Sequence, residues 1–298
     1  MTYWRTYITP RSLDEALTAL RTAPGPARLV AGGTDLLLDL QQGRQPPVDT
    51  LIDVTRLPEL RAVFLDGDSL FIGAAVTHAE LLADPRIVAQ AGCLAEACSL
   101  IGGPQVRNVA TLGGNVAHAL PAADATIALL AMGAQAELAT AGGRRLVAIE
   151  SLFAGPGETT FDRASTIVVG FHLPVRRPGE GSAFHRVMRP QGVAIAILNM
   201  AIWVRLSQDG VIQEARLAAG PSAPRPQRAR SAEEALRGQH AETIDYPAVV
   251  AALQVDSRVR SSAHRASADY RRHLLGVLLS RTLPAALHDA RRLLEASA

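Results

Sequence analysis

Apolar residues recur at helical spacing through Leu13, Ala16, Leu17 and Leu20, directly after Ser12-Leu13-Asp14-Glu15. That tetrapeptide is a capping box, in which a serine and a glutamate three positions on satisfy each other's backbone N–H groups, so a first helix is predicted here, ended by Pro24-Gly25. Leu29-Val30-Ala31 is a short apolar run and predicts a buried strand; after two glycines, a helix over 35–41 is opened by Thr34. Residues 51–54, 62–65 and 70–74 predict short strands, the last two joined by the turn Asp66-Gly67-Asp68-Ser69, and Thr77-His78-Ala79-Glu80 is a second capping box. Helices follow over 87–100 and 122–132, the latter bounded by Pro121 and Gly133.

The pattern changes at Val175-Arg176-Arg177-Pro178-Gly179-Glu180-Gly181, a polar, Pro/Gly-rich stretch that marks the main domain boundary. Beyond it, residues 183–188, 194–206 and 211–217 predict three strands, with Ser207-Gln208-Asp209-Gly210 turning the second into an antiparallel third. After a break at 221–226 the chain is helical, over 229–237, 246–253 and 269–283. No internal repeat or low-complexity tract interrupts this order.

A chain of 298 residues accommodates two or three domains and a large core. The net charge of +2 provides no basic field, so nucleic acid is not an expected partner. All 30 basic residues are arginine, which removes lysine as a Schiff-base or P-loop group. The longest apolar run, 193–204, falls short of a membrane span, and the first residues show no signal-peptide pattern. The only two cysteines, Cys93 and Cys98, lie five apart in a predicted helix, unsuited to a disulfide and too few for an iron–sulfur cluster. A cytoplasmic chain with reduced core thiols is expected.

The chemistry is concentrated in two glycine segments, Ala31-Gly32-Gly33-Thr34-Asp35 and Thr111-Leu112-Gly113-Gly114-Asn115, each entered from an apolar run and followed by a predicted helix. Glycines let backbone N–H groups converge on an anion. The pair therefore predicts a two-sided, main-chain grip on a dinucleotide diphosphate. Neither segment matches G-x-G-x-x-G or a P-loop, which disfavours the Rossmann and Walker readings. Asp35, a carboxylate beside a diphosphate, is assigned to capping or to a hydroxyl, and Asp124 either to the helix dipole or to ribose hydroxyls. There is no nucleophile elbow, no paired acids and no metal-ligand spacing in the chain, so chemistry on an organic substrate is expected elsewhere.

Ala31-Gly32-Gly33-Thr34-Asp35-Leu36, Pro104-Gln105-Val106-Arg107-Asn108, the second glycine segment, Pro121 and Asp124 resemble the FAD-binding medium subunit of molybdenum hydroxylases. This family includes carbon monoxide dehydrogenase medium subunits and bacterial xanthine dehydrogenase FAD subunits. The resemblance implies an α+β protein: an FAD-binding domain of the vanillyl-alcohol-oxidase/cresol-methylhydroxylase type, with two α/β subdomains, over 1–177 (about 1–57 and 58–177). A C-terminal domain of a three-stranded antiparallel sheet and a helical bundle would follow over 178–298.

By motif position, Leu29, Val30, Ala31 and Gly32 with Gly33, Thr34, Asp35 and Leu36 would hold the diphosphate, together with Thr111, Gly114 and Asn115. Asp124 would take ribose or adjacent hydroxyls. Ile101 falls where the family places an apolar residue against the flavin. Val168 and His185 fall at two further contact positions, the latter where many members carry lysine. The cofactor implied is non-covalent FAD, with the molybdenum cofactor and 2Fe-2S clusters carried by large and small partner subunits of a heterotrimer and electrons leaving to an external acceptor. Thr34-Asp35 stands where carbon monoxide dehydrogenases tend to have His-Ser, which argues against carbon monoxide as substrate; purine, aldehyde and N-heterocycle substrates remain open. The alternatives are a self-sufficient flavin oxidase, for which His118 is the candidate covalent attachment point, and a non-catalytic scaffold.

Overall fold

The computed structural model describes residues 2–189, 195–263 and 265–296. The chain begins with β1 (Thr6–Ile8), α1 (Leu13–Thr22), β2 (Ala27–Val30), α2 (Leu36–Gln41) and β3 (Thr50–Asp53). The three strands form a parallel sheet in the order β1-β3-β2. Helix α1 starts where the sequence places it, with Ser12 Oγ accepting from the Glu15 N–H, and buries Leu13, Ala16 and Leu20.

A second sheet is antiparallel throughout. Its strands are β4 (Val63–Asp66), which follows α3 (Pro58–Arg61), then β5 (Ser69–Gly73) and, after a long helical excursion, β6 (Gln135–Thr140) and β7 (Gly143–Ala148). The excursion holds α4 (His78–Ala83), α5 (Pro85–Gln90), α6 (Gly92–Ser99), α7 (Pro104–Arg107), α8 (Leu112–Ala117) and α9 (Asp124–Ala131). A small hairpin, β8 (Phe153–Gly155) and β9 (Glu158–Thr159), leads to β10 (Ile167–Pro174), and the order is β4-β5-β10-β6-β7. The helix expected over 87–100 is two helices, because Ala91 leaves the helical region at φ −136°.

The third sheet, β11 (Glu180–Met188), β12 (Ala196–Leu206) and β13 (Ile212–Gly220), is the expected antiparallel trio. Of the strand read from Ala194, that residue itself lies outside the described residues. Helices α10 (Arg230–Leu236), α11 (Tyr246–Asp256) and α12 (Ala268–Glu295) complete the chain. The last runs well past the predicted end at 283, carrying Pro284 within it. Proline there removes one helix hydrogen bond, but Leu278, Leu279, Leu283, Ala286, Leu287 and Ala290 are all buried on one core, and that burial outweighs the loss.

Strand β12 is buried from Ala196 to Val204 without alternation. The reason is that the third sheet is covered on both faces: Ala201, Ala218 and Phe184 join the core built around α6 and α9, whereas Met200, Ile202 and Leu217 join the core under α12. Asn199, wholly buried in this strand, is the polar exception and faces the first core. Among the described residues no helix is long and apolar enough to cross a membrane.

Candidate functional site

One cleft, about 1020 Å³ in volume, runs between these layers. It is lined by the β2–α2 loop, the Ile101 turn, the start of α8, β10 and the segment leading into α12. Its size is at the upper end of ordinary ligand pockets, which suits an extended dinucleotide.

The first glycine loop reaches the cleft with its main-chain amides unused. The N–H groups of Gly32, Gly33, Thr34, Asp35 and Leu36 find no acceptor among the described residues. Two features shape this loop. Gly33 has φ +66°, a conformation that side chains rarely adopt, and a Cβ on Gly32 would stand 2.1 Å from the carbonyl oxygen of Val109. Gly32 thus lets the first loop lie directly against the approach to the second. Asp35 corrects one expectation: it occupies the N-cap position of α2 but makes no capping hydrogen bond. Its Oδ1 instead lies 4.0 Å from Nε2 of His118, so the two loops face each other through that pair.

The second loop works differently from the symmetrical grip expected of it. It is entered from the helical turn α7 rather than from a strand, and its amides already have partners in the protein. Gly113 N–H donates to the Ala74 carbonyl, Gly114 N–H to Thr111 Oγ1 and Asn115 N–H to the Thr111 carbonyl. What it presents is side chain. The Thr111 hydroxyl accepts from Gly114 and keeps its own proton to donate, while Asn115 Oδ1 is held by the N–H and hydroxyl of Thr126, leaving the Nδ2 group as a donor. A Cβ at Gly114 would meet only Thr111 Oγ1, at 3.1 Å, so this surface is otherwise open.

Asp124 lines the cleft, but both carboxylate oxygens already have protein partners. Asn199 Nδ2 donates to Oδ1 at 2.6 Å, and Arg186 pairs with Oδ2. Burial pushes the Asp124 carboxyl upward, opposed by Arg186 and Asn199. The Arg186 guanidinium also donates to the carbonyl of Leu100, next to Ile101, and Arg107 donates at 3.0 Å to the carbonyls of Ile101 and Gly102. The Ile101 turn is therefore fixed from two sides. Val168 reaches the cleft wall where β10 shifts register between Val168 and Gly170.

The cleft brings together residues 29–36, Ile101, Thr111, Gly114, Asn115, His118, Asp124 and Val168. It does not bring in His185. Side chains alternate along β11: Phe184 and Arg186 point to the first core and Asp124, which turns His185 toward α12. Burial and Arg281 of that helix hold its imidazole below the usual range, and Nδ1 has no partner.

Among the lining residues without an expected role, three carry a buried nitrogen with no partner. His78, 1% exposed at the foot of the cleft, has an unpartnered Nδ1, and burial reinforced by Arg107 lowers its pKa to about 4. Arg163 and Arg271 also line the cleft with unpartnered Nε atoms, and burial holds both below the usual arginine range. In the sequence His78 is the first helical residue of a capping box, and no spacing links the two arginines to the glycine loops. Free amides, orphaned donors and cations around one elongated cavity fit a diphosphate-bearing dinucleotide such as FAD.

A two-sheet lobe joined to a third sheet backed by a helical layer, with such a cleft between, defines a dinucleotide-cofactor flavoprotein fold. Residues 3–176 match the FAD binding domain in molybdopterin dehydrogenase, and residues 182–286 match the CO dehydrogenase flavoprotein C-terminal domain, so the chain belongs to this family of FAD-binding subunits. The xanthine dehydrogenase FAD-binding subunit of Escherichia coli O157:H7 is 33% identical, with 94% of each chain covered. The carbon monoxide dehydrogenase medium chain of Hydrogenophaga pseudoflava is 32% identical over 94% of this chain and 96% of its own. The solved carbon monoxide dehydrogenase of Hydrogenophaga pseudoflava that lacks the Mo-pyranopterin moiety superposes with a TM-score of 0.90 at 31% identity, covering 97% of this chain and 99% of that one.

Proposed function

We propose that this chain is the FAD-carrying electron-transfer subunit of a heterotrimeric molybdenum hydroxylase. Electrons would come from 2Fe-2S clusters on a small partner, reduced in turn by a large molybdenum-cofactor subunit, and leave to an external acceptor. The observation that carries the reading is the pairing of a free-amide loop, 32–36, with a hydroxyl and amide loop, Thr111 to Asn115, across one dinucleotide-sized cleft. The names of the relatives support the partner assignment, and a cytoplasmic location follows from the same reading. We also propose the division 1–177 and 178–298, supported by the core under α12, which draws only on residues beyond 178.

Bound FAD supplies the conversion between single electrons and electron pairs. The residues of this chain bind and orient it. The amides of Gly32 to Leu36 would neutralise diphosphate oxygens, Thr111 and Asn115 would donate from the opposite side, and Asp124, held by Arg186 and Asn199, retains carboxylate lone pairs for sugar or ribityl hydroxyls. Ile101, fixed by Arg107 and Arg186, would cover a flavin face and exclude water. No group of three or more His, Cys, Asp or Glu among the described residues is placed to hold a metal, and Cys93 and Cys98 are buried apart from the cleft lining.

One specific observation keeps a second reading, the self-sufficient oxidase, in view: His118 lines the cleft. The purified chain is expected to show a flavin spectrum and to release its yellow chromophore when precipitated with acid. Colour retained in the precipitate would favour the covalent oxidase; a chain that takes up no FAD, even with its partners present, would overturn the assignment.

A further inference from the structure

The cleft carries more positive charge than a bound FAD accounts for. Arg28 and Arg163 line one wall, and Arg258, Arg260, Arg265 and Arg271 line the other, where the chain leads from α11 into α12. None of the six forms an ion pair with a carboxylate among the described residues. The cleft's own acids do not balance them, because Asp124 is paired with Arg186 and Asp39 with Arg44, and Asp35 faces His118. A dinucleotide diphosphate brings about one negative charge per phosphate. Arg28 is partly offset by Asp162, and the other five guanidiniums still exceed that charge.

On the second wall, Arg260 and Arg265 lie close enough to Arg271 to act on its charge. Arg271 is only 4% exposed, its Nε has no partner, and burial together with Arg265 and Arg260 holds its guanidinium below the usual range. An uncompensated buried cation beside like charges is costly unless an anion joins it. Arg258, Arg260 and Arg265 are exposed and stand toward solvent. Their segment is tied down: Arg258 N–H donates to the Ser222 carbonyl at 2.6 Å, Ala268 N–H to Ser261 Oγ at 2.9 Å, and Arg189 donates to the Arg265 carbonyl at 3.2 Å. The backbone that carries these arginines is thus held in place, and planar guanidiniums suit phosphate oxygens.

We propose that Arg258, Arg260, Arg265 and Arg271 form a second anion subsite, which takes the phosphate group of an electron acceptor while FAD occupies the glycine loops. The proposal rests on the FAD reading above and adds the chemical class of the acceptor: an organic phosphate or diphosphate, in place of a neutral quinone or oxygen. The buried Arg271 would anchor a phosphate oxygen. The three exposed arginines would draw the anion in, an attraction that salt screens.

The test is calorimetric. The chain is loaded with FAD, freed of excess cofactor, and titrated with inorganic pyrophosphate at low and high salt, as wild type and as the double variant R260S/R265S. Both substituted residues are exposed, so folding and FAD content are expected to be unchanged, as the visible spectrum checks. The expected result is one pyrophosphate per FAD-loaded chain, weakened by salt and weakened about tenfold or more in the variant. Equal affinity in the variant overturns the proposal. So does pyrophosphate that fails to bind the loaded chain, or that binds only by displacing FAD, since the arginines would then serve the cofactor's own diphosphate. In both of these outcomes the flavin reading stands. A chain that takes up no FAD refutes that reading instead, and the second subsite falls with it.

Discussion

Arg186 on β11 and Asp124 at the start of α9 form an ion pair between the third sheet and the helical layer of the first core, with side chains only 2% and 6% exposed. The same guanidinium reaches the Leu100 carbonyl, so one cation sets both the carboxylate and the turn bearing Ile101. Removing one partner of a buried pair leaves the other uncompensated. Arg186→Met is expected to cost roughly 3–5 kcal/mol. Arg186→Lys keeps the charge but not the fork that serves Asp124 and Leu100 together, so it should recover part of the stability while shifting the flavin absorption bands. Urea unfolding and visible spectra of the two variants check this; a wild-type midpoint for Arg186→Met would refute it.

Gly32 and Gly114 make a matched comparison, since a methyl group at each meets different surroundings. At Gly32 it collides with the Val109 carbonyl at 2.1 Å, backbone that moves only if the two loops separate. At Gly114 it meets a hydroxyl at 3.1 Å. Gly32→Ala is expected to lose about 2 kcal/mol or more and most of its bound FAD, and Gly114→Ala about 1 kcal/mol or less. FAD-to-protein ratios after desalting measure the difference.

Thr111 has two duties in one hydroxyl, accepting the Gly114 N–H as the cap of α8 and keeping a proton for the ligand. Thr111→Val removes both, costing about 1 kcal/mol of stability through the lost cap and raising the FAD dissociation constant about tenfold through the lost donor. Thr111→Ser restores the hydroxyl and should restore both quantities. If serine failed to rescue binding, the hydroxyl would not be the group that matters.

The elements that carry their own signals were legible in the sequence. Ser12 and Glu15 announced α1, and the polar turn at 207–210 announced the β12–β13 hairpin. The glycine segments marked the cleft, because positive φ and close approach leave a local trace in residue type. What each segment offers was not legible: whether the amides of Gly113 and Gly114 are free depends on the Ala74 carbonyl and the Thr111 hydroxyl, which only the folded chain brings to them. For the same reason Asp124 reads as a helix-dipole or ribose residue, with no local sign of Arg186, 62 positions away. His185 lies outside the cleft lining because alternate positions of a strand face opposite sides, and which side faces the cleft is not written in one residue. Helix α12 outran its proline because the stabilising contact, with a sheet far back in the sequence, is invisible to a local rule.

The cysteines give a sharp readout of packing. Cys93 and Cys98 are wholly buried in α6, and burial pushes both thiols well above their usual range. Thiolate is the reactive form. No thiol is therefore expected to react with Ellman's reagent in the native chain, and two in denaturant. A thiol titrating rapidly under native conditions would mean that α6 opens, and with it the Ile101 turn that follows.

His78 makes stability depend on pH in a defined window. Its folded pKa is lowered to about 4 from the usual 6.5, chiefly by burial. Above 6.5 the imidazole is neutral in folded and unfolded chains alike, and it takes nothing from stability. As the pH falls from 6.5 toward 4, the unfolded chain binds a proton that the folded chain refuses, so stability is lost across this interval and the loss levels off below it. Between pH 7 and pH 5 the difference amounts to about 2 kcal/mol. His78→Gln cannot titrate there. The free energy of urea unfolding should therefore fall by about 2 kcal/mol less in this variant than in the wild type over the same two pH values, and parallel losses would place the responsible group elsewhere.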